Sequence, residues 1–145
     1  MSSSLYQQAQ DFAGVWKCSH VEGMEELLAA LNVSWLKRKA GAAMGFGAKR
    51  VVQTVTQIGD KIAIVNSGGI KDFTNEIEAI CPACMDGPVR CAASWGADGS
   101  LVLRTQMKGT DVVIVRRRVD ATTTVVEVTC GNVVSVRTFA LVSAA

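Results

Sequence analysis

From about residue 49 onward the chain alternates short runs rich in Val, Ile and Thr with pairs of turn formers: Gly59-Asp60, Gly68-Gly69, Asp86-Gly87, Asp98-Gly99, Lys108-Gly109, Asp120-Ala121 and Gly131-Asn132. Turns separated by roughly 8 to 12 residues, with β-branched residues between them, predict an antiparallel meander. A meander leaves two unpaired edges unless it curls and closes, so the expected architecture is a β-barrel. Several strands are apolar on both faces, residues 112–115 and 125–128 among them, so alternation alone does not say which face is interior.

Ahead of the meander the pattern changes. Residues 12–20 read as a first strand. Met24, Leu27, Leu28 and Leu31 then recur at helical spacing, with Glu25 and Glu26 placed favourably for the helix dipole. Asn32 or Ser34 is positioned to cap a second short helix through residues 35–40, which runs into the glycine-rich stretch 41–47. The polar residues 1–10 read as a flexible tail, and residues 11–145 as one domain. A chain of 145 residues, 49% of them hydrophobic, suits one domain with a sizeable core.

Composition narrows the function classes. Mean hydropathy is positive, but no run approaches the ~18 apolar residues a membrane-spanning helix needs. The first ten residues carry neither a basic nor an apolar signal-like segment, and position 2 is serine, so the expected location is the cytosol. A net charge of +2 with dispersed Lys and Arg does not suggest nucleic acid. Five cysteines, an odd number, read as reduced thiols rather than a disulfide framework. Cys81 and Cys84 form a CxxC that opens a redox or sensor alternative, but four zinc ligands are not in evidence and no metal site is expected. The single histidine, His20, gives no nucleophile–base pair, so an enzyme is not expected.

The chemistry that stands out is arginine inside apolar strands. Arg116, Arg117 and Arg118 follow the run 112–115, and Arg137 sits alone within 133–142. A buried guanidinium without an anion is costly, so such strands call for a counter-charge from protein or ligand. Alternation puts Arg116 and Arg118 on one face and Arg117 on the other.

The opening Phe12-Ala-Gly-Val-Trp-Lys17, the helix at 24–31, Arg38-Lys39 before Gly41, Asn75-Glu-Ile77, Asp98-Gly-Ser-Leu101, Val125-Val-Glu127 and Arg137 stand in the order found in intracellular fatty-acid-binding proteins. The resemblance spans roughly residues 12–142. It implies a mainly β fold: a ten-stranded antiparallel up-and-down β-barrel, capped by a helix-turn-helix lid over a cavity holding one or two lipids. It places the two buried carboxylate-binding arginines at Arg117 and Arg137, which assigns Arg116 and Arg118 to solvent. The tyrosine expected two positions after the second arginine is Phe139 here, as in the intestinal type. By register, Ser135, Val126 and Val128 are expected to share the interior with Arg137 and Phe139, while Met24 and Leu28 reach the ligand from the lid. The portal phenylalanine maps to Ile70, with Phe73 nearby, and the segment 75–88, short and carrying two prolines, predicts a malformed strand.

The implied function is non-covalent binding and intracellular transport of a long-chain fatty acid or related hydrophobic carboxylate by a monomer without a cofactor. Lys37, Arg38 and Lys39 suggest transient contact between the lid and anionic membrane. A retinoid or bile-acid carrier of the same fold, a thiol protein using Cys81 and Cys84, and a barrel that serves only as an interaction module are the alternatives.

Overall fold

A computed structural model describes residues 9–69, 72–78, 91–107 and 109–144. These form β1 (Gly14–Glu22), α1 (Met24–Ala30), α2 (Trp35–Ala43), a 3-10 turn (Gly45–Gly47), β2 (Val52–Ile58), β3 (Lys61–Ser67), β4 (Phe73–Glu78), β5 (Cys91–Trp95), β6 (Leu101–Met107), β7 (Thr110–Asp120), β8 (Thr123–Cys130) and β9 (Val133–Ala144). The sheet order is β4-β3-β2-β1-β9-β8-β7-β6-β5, so the first strand closes against the last and the meander becomes a nearly closed antiparallel barrel. Nine strands stand among the described residues where ten were expected. The prolines and the CxxC of the expected malformed strand, and Ile70, lie outside them.

Trp16, Phe12 and Phe139 are fully buried and anchor a core that continues through Cys18, Val55, Ile62, Ile64, Leu101 and Val126. The Trp16 indole N–H, which would otherwise be stranded in that core, donates to the Phe12 carbonyl at 2.8 Å. Ahead of Phe12 the chain is less free than its polarity suggests. Gln10 donates its amide to the Gly99 carbonyl at 2.9 Å and pairs through its side chain with both backbone groups of Arg118, so the expected tail does not extend to residue 10.

The lid forms as the pattern predicts, with α2 extending to Ala43. Ser34 is its cap, accepting from the Lys37 amide, whereas Asn32 takes a left-handed turn between the helices. Gly23 makes the turn into α1 with φ at 71°, and a Cβ there would meet the Val134 carbonyl at 2.3 Å. This close approach presses α1 onto the barrel, where Leu27 and Leu31 pack on Val112, Val128 and Cys130. The same glycine therefore sets where the lid sits.

Candidate head-group site and portal

β7, β8 and β9 position the arginines. Arg116 stands opposite Val126, and Val126 opposite Arg137, so these three side chains form one row across the sheet. That row faces inward: Arg116 is 5% exposed and Val126 2%. Arg116, not Arg117, is therefore the interior partner of Arg137. The cause is a register shift between Arg118 and Asp120 that leaves Val119 as an extra residue. Continued from Asp120 opposite Thr123 without the shift, the ladder would set Arg117 opposite Val126 and turn it inward.

Arg117 instead points outward at 40% side-chain exposure, with Asp98 3.6 Å away. That pair is loose. The Asp98 carboxyl is held below its usual range first by the Ser100 hydroxyl and amide, with Arg117 contributing least. Arg118 shares the inward face with Arg116, a second departure from the expected solvent assignment. It lies over the Trp16 ring at 5.2 Å and donates to the carbonyls of Asp11 and Ala121.

Arg116 is held by a chain of amides that crosses the barrel. Its Nη2 donates to Gln53 Oε1 at 2.7 Å, Gln53 Nε2 donates to Asn66 Oδ1 at 2.9 Å, and Asn66 Nδ2 donates to Asn75 Oδ1 at 3.1 Å. This fixes the orientation of Arg116 without neutralising it. The guanidinium also lies 6.0 Å from the Phe12 ring and 5.8 Å from Phe139, with the Arg137 guanidinium 5.3 Å from Phe139. Ring faces soften the cost of a buried cation but carry no net charge.

No ion pair reaches Arg116 or Arg137 among the described residues. Glu127 lies between Val126 and Val128, and alternation turns it to the opposite face. Cys18, the remaining acidic group near Arg137, is lifted by burial, which outweighs the lowering by Arg137 and by the His20 backbone, so it stays a neutral thiol. Desolvation, with Arg137 adding to it, pulls Arg116 down to about 9, and desolvation lowers Arg137 as well. A guanidinium is basic enough to hold its proton in proteins, so both are treated as cations. Four side-chain atoms are buried without a hydrogen-bond partner among the described residues: Arg116 Nη1, Arg137 Nε and Thr124 Oγ1 on the inward face, and Arg117 Nε, which lies 3.6 Å from Asp98.

The other expected site residues divide by place. Phe139 is fully buried with both cations near its ring, and Val126 lies in their row. Val128 and Ser135 are opposite one another beneath α1, and the Ser135 hydroxyl is committed to the Glu22 carbonyl at 2.9 Å. Met24 and Leu28 are elsewhere. They line an apolar cavity of about 370 Å³ with Met44, Phe46, Val51 and Phe73, where the lid meets the start of β4. Phe73, 52% exposed, is thus the phenylalanine at this mouth. A larger recess of about 700 Å³ lies along β2, β3 and β4, lined by Ile58, Lys61 and Glu76; it touches no candidate residue. Gln53 and Asn66 were missed from the sequence, although each interrupts an inward row that is otherwise apolar: Gln53 precedes Val55, and Asn66 follows Ile62 and Ile64. No group of metal-ligating side chains occurs among the described residues, and Cys81 and Cys84 lie outside them.

Two solved structures are similar to this barrel over nearly its whole length. One is a Schistosoma mansoni fatty acid binding protein in complex with arachidonic acid, 22% identical, covering 91% of this chain and 96% of that one, with a TM-score of 0.70. The chain has the fatty-acid-binding-protein fold. The other, Echinococcus granulosus fatty-acid-binding protein 1, is 20% identical over 90% of this chain and 97% of its own, with a TM-score of 0.65. No protein-family model and no curated relative matches the sequence. The fatty-acid-binding-protein fold therefore rests on backbone shape, and the interior charges must be read from this chain's own residues.

Proposed function

We propose that the protein binds a long-chain fatty acid, or a similar acidic lipid, non-covalently inside the barrel and carries it as a monomer in the cytosol. The observation that carries this reading is the pair of inward cations, Arg116 and Arg137, each with an unpartnered N–H and neither with a carboxylate partner among the described residues. An anionic head group supplies what the protein lacks, through charge-assisted hydrogen bonds that fix its position. The acyl chain then leaves water along Phe139 and the barrel wall toward Met24, Leu28 and Phe73 at the mouth. The similarity to two fatty-acid-binding proteins supports the same reading. A retinoid or bile acid would be held by the same charges, and competition between ligands ranks them.

Displacement of a fluorescent fatty acid from delipidated protein tests the proposal. Arg116→Ala and Arg137→Ala are each expected to weaken binding by about 10- to 100-fold, the value of a hydrogen bond to a charged group. Arg117→Ala is expected to leave affinity unchanged. Unmodified protein that binds no lipid would overturn the carrier reading. Parent-like affinity in both interior variants would overturn the head-group assignment.

A further inference from the structure

The interior is unbalanced by two charges. Arg116 and Arg137 both face inward, Glu127 faces away, and Cys18 is a neutral thiol. One carboxylate removes one of those charges and leaves the other buried, at a cost that grows with desolvation. The unpartnered donors also exceed what a carboxylate completes most simply. On the inward face, with Arg117 Nε outside against Asp98, Arg116 Nη1, Arg137 Nε and Thr124 Oγ1 make three, on three neighbouring strands.

Their arrangement is compact. Thr124 is fully buried and directly opposite Phe139 across the β8–β9 ladder, and the two guanidinium carbons lie 5.8 Å and 5.3 Å from the Phe139 ring. The amide chain through Gln53 occupies Arg116 Nη2 and leaves Nη1 free, so the free donor is a fixed feature of the site. Phe139 brings no hydroxyl, which leaves Thr124 as the hydroxyl of this row.

We infer that, among acidic lipids, the site is matched to a tetrahedral dianion, the phosphate monoester head of a single-chain lipid, in preference to a monocarboxylate. The inference rests on the proposed placement of a lipid head group at the arginine pair. Two negative charges balance the two guanidinium groups. Three terminal oxygens accept from Arg116, Arg137 and Thr124.

Three ligands with the same twelve-carbon chain separate charge from shape: dodecyl phosphate, dodecyl sulfate and dodecanoate, titrated calorimetrically into delipidated full-length protein at pH 7.5, below their micellar concentrations. Sulfate has the phosphate's shape with one charge, since the phosphate's second ionisation near pH ~6 is complete at this pH. Phosphate is expected to bind at least about tenfold tighter than either of the others, the ratio that ~1.4 kcal/mol supplies. Arg116→Gln is expected to remove that advantage, and Thr124→Val to lower phosphate affinity severalfold. Dodecanoate binding as tightly as phosphate overturns the inference and leaves the carrier reading standing. Sulfate matching phosphate overturns the charge count. Binding of none of the three overturns both the inference and the carrier reading. The ranking on unmodified protein decides the matter whether or not the variants fold.

Discussion

The floor formed by β7, β8 and β9 and the mouth formed by α1, α2 and β4 are built on opposite principles. The floor sets cations among aromatic rings and leaves Arg116 Nη1 and Arg137 Nε unpartnered. The mouth is apolar and keeps Phe73 exposed, with Trp35 62% and Leu36 72% exposed on α2. A compact protein selected for stability alone would arrange these the other way, with apolar groups sunk and charges outside. The difference gives the interior a polarity along its length, charged at the floor and apolar at the mouth, which is the polarity the proposed head-inward binding of an amphipathic lipid requires.

The largest effect that sharpens this comparison comes from Phe139→Ala. The ring is fully buried and lies 5.8 Å and 5.3 Å from the two guanidinium groups, so its loss creates a cavity and removes an aromatic face from two like charges. Destabilisation of about 3–5 kcal/mol is expected from denaturant unfolding. A cost below ~1 kcal/mol would show that the floor does not depend on the ring.

Arg137→Met is the next in size and has the opposite sign. Arg137 has no hydrogen-bonded partner among the described residues, and an apolar side chain of similar length removes a desolvated charge. The ligand-free variant is expected to gain about 1–3 kcal/mol, because buried charges replaced by well-packed apolar groups commonly stabilise. Thermal unfolding of delipidated protein checks this, and a lower melting temperature would mean that the floor is organised for stability after all. At the mouth, Phe73→Ala is expected to change stability by no more than ~0.5 kcal/mol, as is usual for an exposed position, while speeding lipid exchange severalfold in stopped-flow measurements. Unchanged exchange would remove Phe73 from the portal.

These expectations depend on features that were unequally legible in the sequence. Turn pairs at 59–60, 68–69, 98–99 and 131–132, with β-branched runs between them, are enough to read the meander, because a turn residue and a pleat are local properties. The lid was equally readable from Met24, Leu27, Leu28 and Leu31. The orientation of the arginine triplet was not. Val112 and Ile114 share parity with Arg116, Val113 and Val115 share parity with Arg117, and both faces of β7 are apolar, so hydrophobicity offers no choice between them. The choice is made by one unpaired residue near the hairpin turn, and a bulge has no composition signature of its own. Gln53 and Asn66 were legible in principle as polar breaks in inward rows, but their meaning appears only when the ladder sets them opposite each other and within reach of Arg116.

The bulge at Val119 also bears on how such a site tolerates a slip of its pairing. Three consecutive arginines span both parities of the strand. Pairing Val119 into the ladder opposite Thr124, with the chain otherwise unchanged, would turn Arg117 inward opposite Val126, while the present register turns Arg116 inward there. A ladder that slips by one residue near this turn would exchange one interior arginine for its neighbour, and the barrel would still present a guanidinium opposite Val126. What looks like a redundant basic cluster is, in this strand, a tolerance to slippage: the charge at the floor is conserved under a frameshift of the ladder, although the residue that supplies it is not.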